Sequence, residues 1–218
     1  SILKGSKEPM MEKPEGKRIV VAAPVFGGRI PSVVREKIEK LSGTGKKAVT
    51  IAVYGNRAYE DALLEMNDIL MKCGFTVIAS GAFVAQHSMA PEVGAGRPDG
   101  EDEKEIHKFA ESVKNSTATE NVHVPGNRPY KPEMNMPVTP ISIPSCTMCG
   151  KCVTVCPTNA ISVSDGAVIT DAEKCILCMA CTHVCTEQAR IRPLPLQQET
   201  DQMLGALKSV RNKNEVFL

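Results

Sequence analysis

The sequence predicts an α/β first half, a parallel sheet with helices on both faces, followed by a small α+β unit organised by cysteines. Two observations carry this expectation. Between residues 17 and 114, near-continuous apolar runs of strand length alternate with segments whose apolar residues recur at helical spacing, as in parallel strands buried on both faces. Between residues 141 and 193, eight of the nine cysteines fall into two copies of one spacing, CxxCxxCxxxC, and each cysteine of the second copy lies 29 positions after its counterpart.

Composition sets the bounds. The chain has 218 residues, 42% of them apolar, which suits one or two domains with a buried core. A net charge of +1 argues against nucleic acid as a main partner. The longest apolar run, IVVAAPVF at 19–26, is far too short to span a bilayer, so no membrane partner is expected.

Residues 1–16 read as a polar lead-in with no element of its own, and because the first residue is Ser1 the expectation is a processed or partial text. In residues 17–114 the first strand is Ile19–Phe26, ending in GGRIP. A helix from about Ser32 to Leu41 follows, with Val33, Val34, Ile38 and Leu41 apolar. SGTG at 42–45 reads as a helix stop and turn. The second strand is Ala48–Tyr54, ending in GNRAY, and the second helix runs from about Tyr59 to Cys73 on Leu63, Leu64, Met66, Ile69 and Leu70. Cys73 on that apolar face reads as a small buried hydrophobe. A third strand, FTVIASGAFV, precedes a helix from Glu101 to about Lys114, for which Asp99 is the expected N-cap. Residues 115–140, rich in proline, read as a linker.

The cysteine text comes next. Three thiolates at i, i+3 and i+6 converge on an object larger than one ion, a [4Fe-4S] cluster, and the fourth cysteine of each run ligates the cluster of the other run. The expected ligands are therefore Cys146, Cys149, Cys152 and Cys185 for one cluster, and Cys175, Cys178, Cys181 and Cys156 for its twin. A zinc site would use paired CxxC knuckles without an evenly spaced third cysteine. A disulfide framework belongs to small secreted domains, so a reducing cytoplasmic location is expected. Between the runs, ISVSDGAVIT reads as a hairpin turning at Asp165 and Gly166. Lys151, Lys174, Arg190 and Arg192 balance Asp165, Asp171, Glu173 and Glu187. Residues 194–218 read as a polar tail, helical around 201–211, with Met203, Leu204, Leu207 and Val210 expected to pack on the α/β domain.

Residues 141–193 resemble a bacterial two-cluster ferredoxin in their eight cysteines and in Pro157, while Thr186 stands where that family repeats the proline. A second resemblance lies at the carboxyl ends of the first two strands, where ligands of parallel sheets sit. PVFGGRIP (24–31) and YGNRAYEDAL (54–63) resemble the two loops with which flavodoxins hold the flavin ring. That resemblance implies FMN stacked between Phe26 and Tyr59, with Gly27, Gly28, Tyr54, Gly55 and Asn56 at its edge. Together the two parts resemble the ferrodoxins, flavodoxin-ferredoxin fusions of anaerobes. The departure is at the start: nothing before Lys17 supplies the phosphate loop or the first strand and its neighbour. The expectation is an N-terminally incomplete flavodoxin-like sheet on which tight FMN binding is not foreseen. The function expected is electron transfer between redox partner proteins and a flavin or partner at the first domain. The alternative is the iron-sulfur part of a flavin-dependent oxidoreductase, and a third reading makes the clusters mere structural staples.

Overall fold

The computed structural model describes residues 18–134 and 138–218, which form two compact units. The α/β unit comprises residues 18–87, 91–134 and 206–218, and the cysteine unit comprises residues 88–90 and 138–205.

In the α/β unit, β1 (Arg18–Pro24), β2 (Lys47–Tyr54) and β3 (Thr76–Val84) are parallel and adjacent in sequence order. Pairing runs from Arg18↔Lys47 to Pro24↔Val53, and the β2–β3 register shifts once, between Ala48 and Val49. Helices α1 (Ser32–Ile38) and α2 (Ala62–Lys72) cover one face, burying Val34, Ile38, Leu63, Met66 and Leu70 against Val21, Ala23 and Val77. Helix α3 (Gly100–Asn115) covers the other, where Phe109 meets Phe83 edge to face at 5.6 Å beside Val49 and Ile78. Asp99 is its N-cap: the carboxylate accepts from Glu101 N and Asp102 N, and Asp102 answers from Asp99 N, a reciprocal cap.

Helix α1 stops a turn earlier than the periodicity predicts. Gly43 hydrogen-bonds Cys73 O, and a Cβ there would lie 2.2 Å from the Phe75 ring, so the chain leaves the helix to make that approach.

Two boundaries read from composition are corrected. Residues 115–134 are bonded to the α/β unit where a free linker was expected: Val122 N donates to Val77 O, Arg128 pairs with Asp68, Tyr130 donates to the same carboxylate, and Lys131 N donates to Asp61 at 2.7 Å. The proline content gave no hint of these polar ties.

The cysteine unit has two small sheets, β4 (Ile141–Ser142) with β7 (Arg190–Ile191) and the hairpin β5 (Ile161–Ser164) with β6 (Ala167–Thr170). Asp165 and Gly166 form its turn with φ of 51° and 73°. Short helices α4 (Lys151–Thr154) and α5 (Ala180–His183) carry the third cysteine of each run, Cys152 and Cys181.

The second correction is the tail. Its helix, α6 (Leu194–Leu204), starts seven residues before the expected Asp201, with Pro195 in the first turn where a missing N–H costs nothing. Its Leu196 packs on Leu177 and Met179 of the cysteine unit, whereas Met203 and Val210 are exposed. Beyond it, residues 206–218 belong to the α/β unit and end in β8 (Glu215–Phe217), antiparallel to β3. The sheet order is thus β1-β2-β3-β8. Among the described residues the other edge, β1, has no neighbour, and its Val20 is 63% exposed.

Candidate metal centre

The two cysteine runs repeat in backbone as well as in sequence. Left-handed residues occur at Met148 and Leu177, at Gly150 and Met179, and at Asn159 and Gln188, three pairs each 29 apart. Five of the six are not glycine, and each such residue costs about 1 kcal/mol or more, so the fold must fix them. The alternation of left- and right-handed residues around Cys149 and Cys178 turns successive N–H groups to one side, a concavity suited to anionic sulfur. One such bond is present within the protein: Ala160 N donates to Cys156 Sγ at 3.2 Å.

This backbone brings Cys146, Cys149, Cys152 and Cys185 to the wall of one cavity, with Met148, Gly150, Ala189 and Arg190. The remaining four cysteines form a second group. Cys175 and Cys178 each feel the charge of both Cys156 and Cys181. In each group three members come from one run and the fourth from the other.

Burial pushes the thiols of Cys152, Cys175 and Cys178 up from their ordinary value, while Arg190 acts in the opposite direction on Cys152 and Cys175. A buried thiol resists ionisation until a metal takes the proton's place, so metal binding here releases protons and contributes to folding. Among the described residues no three His, Cys, Asp or Glu side chains gather closely enough for a single ion. Four thiols on the wall of one cavity are the donor set of a four-iron cluster, and Cys146, Cys149, Cys152 and Cys185 fit it.

The groups differ in exposure. Cys149 is exposed and its neighbour Met148 is 45% exposed, whereas in the second group Cys181, Leu177 and Met179 are all buried. Arg190, expected as one of several balancing charges, is 4% exposed in the wall of the first cavity. Laying one repeat over the other would have flagged it, because its counterpart 29 residues earlier is Ile161.

The residues present do not fit FMN. Phe26 is half-buried in a tight turn, its N–H and C=O both bonded to Arg29. A Cβ on Gly27 would lie 2.7 Å from Met134, one on Gly55 would lie 2.6 Å from the His87 ring, and the Glu60 carboxylate fills the space beside Gly28. Asn56 is fully buried, bonded to Val210 O at 2.7 Å and Asn212 N at 3.0 Å. The hydroxyls of Tyr54 and Tyr59 donate to Lys213 O and Glu215, and their rings meet edge to face at 5.5 Å. Tyr59 is therefore held by the carboxyl-terminal segment and not free to stack on a ligand. The start of α2 holds the buried carboxylate of Asp61, already accepting from Asn127 N and Lys131 N, so this helix end is not open to an anion either. A cavity of about 400 Å³ lies beside these side chains, lined by Tyr54, Arg57, Tyr59, Glu60, Asp61 and Glu215 among others. Its charged lining is mixed, with Glu60, Asp61 and Glu215 beside Arg57 and Lys213, and forms no cationic cradle for a phosphate.

A model of the 4Fe-4S dicluster domain matches residues 145–189. The chain is 45% identical over 56 residues to the polyferredoxin-like subunit of an aliphatic sulfonate oxidoreductase of Pyrococcus furiosus, a match covering 25% of this chain and 30% of that one. It is 39% identical over 54 residues to a ferredoxin-like protein in the vnf region of Azotobacter chroococcum, covering 22% of this chain and 83% of the relative. It is 35% identical over 65 residues to an uncharacterized ferredoxin-like protein of Haemophilus influenzae, covering 27% and 76%.

Proposed function

Because the chain belongs to the ferredoxin-like proteins through its 4Fe-4S dicluster domain, we propose that it carries single electrons between redox proteins on two interleaved [4Fe-4S] clusters. In this reading Cys146, Cys149, Cys152 and Cys185 hold one cluster, and Cys175, Cys178, Cys181 and Cys156 hold the other. The observation that carries it is the first cavity, where Cys185 of the second run stands in the wall with Cys146, Cys149 and Cys152 of the first.

A bound four-iron cluster supplies reversible one-electron storage. The chain's own residues do the rest. Left-handed turns at Met148, Gly150, Leu177 and Met179 aim backbone N–H groups at sulfur. Leu177, Met179 and Leu196 keep water from the second group, while the exposed Cys149 leaves the first within reach of a partner surface. That partner is proposed to be a redox protein presenting a positively charged face to the anionic cluster. The flavin loops are spent on bonds within the protein, so neither an FMN step nor the flavin-oxidoreductase alternative enters this reading.

Anaerobic reconstitution of the full chain with iron and sulfide tests it. We expect about eight irons, a broad shoulder near 400 nm and reversible reduction by one-electron donors. Zinc in place of iron overturns the reading, and clusters that cannot be reduced reversibly leave only the staple.

A further inference from the structure

The repeat maps each residue around one thiol group onto a residue around the other, so departures from it are informative. At the fifth position after the last cysteine of the run stands Ile161 in the first copy and Arg190 in the second. Both are buried, 6% and 4% exposed. One half thus places an aliphatic side chain where the other places a guanidinium.

Arg190 is not neutralised by an ion pair among the described residues. Its bonds run to two hydroxyls, Ser142 Oγ at 3.2 Å and Thr170 Oγ1. Its Nε is buried without an acceptor. The side chain lines the cavity of Cys146, Cys149, Cys152 and Cys185. Lys151 and Glu187 line it as well, but they are exposed, of opposite sign and screened by solvent. Among the described residues lining the cavity, the one buried charge is therefore positive, and a buried charge acts through a low dielectric.

We propose that Arg190 sets the order in which the two clusters take electrons, holding the reduction potential of the cluster of Cys146, Cys149, Cys152 and Cys185 above that of its twin. This rests on the two-cluster reading. In the step itself a one-electron donor is oxidised and the cluster gains one negative charge. No bond forms or breaks in the protein. A guanidinium with a spare N–H in the wall of this cavity favours that added charge most here; its field also reaches Cys175 of the twin, but there the matching position holds only Ile161, so the two clusters are helped unequally. Net charge, hydrogen bonds to sulfur and solvent exposure are the levers on such potentials; charge and exposure both favour this cluster, to which the exposed Cys149 belongs, whereas the Ala160 N–H on Cys156 Sγ acts for the twin.

The test is a spectroscopically monitored redox titration of the reconstituted full chain and three variants, each with its iron content measured. The native chain is expected to reduce in two separated steps. Arg190→Met should lower the higher step by at least about tenfold in equilibrium constant, 59 mV for one electron, and by more than it lowers the other step, narrowing the gap. Arg190→Lys should keep the order of the steps, and Ile161→Arg should raise the lower step. An Arg190→Met protein that holds about eight irons and titrates like the native chain overturns the proposal. So does loss of iron in the Met and Lys variants alike, which assigns Arg190 to folding. A native chain that binds zinc, or half the iron, sinks the two-cluster reading instead, so the two failures are told apart.

Discussion

Glu65 is fully buried, and three groups meet its carboxylate. Arg29 donates twice, at 2.8 and 2.6 Å, Ile30 N donates at 3.1 Å, and Arg35 at 3.3 Å. Removing one member of such a set strands the others, which costs about 3–5 kcal/mol. Glu65→Ala should therefore lower the denaturant midpoint of the α/β unit sharply, read by circular dichroism, without changing iron content. At the thiols, Cys152→Ala and Cys156→Ala should damage different clusters, and identical spectroscopic lesions would contradict the pairing. Two other carboxylates make stability depend on acid. The Arg97 guanidinium holds the Asp102 carboxyl well below its usual range. For Asp68, burial works to raise the pKa, but Arg128 and Tyr130 bring it down overall. Both folded values lie below the unfolded one of about 3.9, so this stability is present above about pH 4 and lost as pH falls further. Arg97→Met should flatten the loss of denaturation midpoint between about pH 5 and pH 3. The cysteines were legible because their spacing is itself chemistry. Arg190 was not, because a charge in the text says nothing of its burial.

Elements were legible in proportion to their length. The 16-residue α3 announced itself through Asp99, and its acidic first turn matches the helix dipole. Asp99→Ala should speed hydrogen exchange at the first amides of α3 while leaving β2 protected. By contrast, β8 has three residues, Glu215–Phe217, too few to show a period. It is fixed by partners 130 or more residues away, Ser80↔Phe217 in the sheet and Asn214 accepting from Val84 N. The same tertiary ties overrode the loop resemblance, since Asn56, Tyr54 and Tyr59 found acceptors or donors in residues 210–215. They also give an alkaline signature. Burial, then the Glu215 charge, push the Tyr54 hydroxyl up to about 12, and burial with a bond to Glu215 raises Tyr59 further. With folded values above the unfolded value of about 10, their stability is full below pH 10 and lost as pH rises through the folded range. An ultraviolet titration should show no tyrosinate from this pair near pH 10 in the folded chain.

At the scale of the whole molecule the two units rest on different forces. The α/β unit buries a large aliphatic core on both faces of its sheet, whereas the cysteine unit buries few apolar side chains, among them Ile161, Leu177, Met179 and Leu196. Chelating the iron should therefore abolish amide protection across residues 141–191 while β1, β2 and β3 stay protected, as hydrogen exchange can read. Composition located the change from one unit to the other but not that the α/β unit takes up the chain again at residue 206. That re-entry has a consequence for synthesis. A ribosome emits every cysteine before Glu215, so metal loading can begin while the sheet still lacks its last strand. Proteins that deliver iron to a nascent chain would meet the thiols in an early window, before β8 joins the sheet.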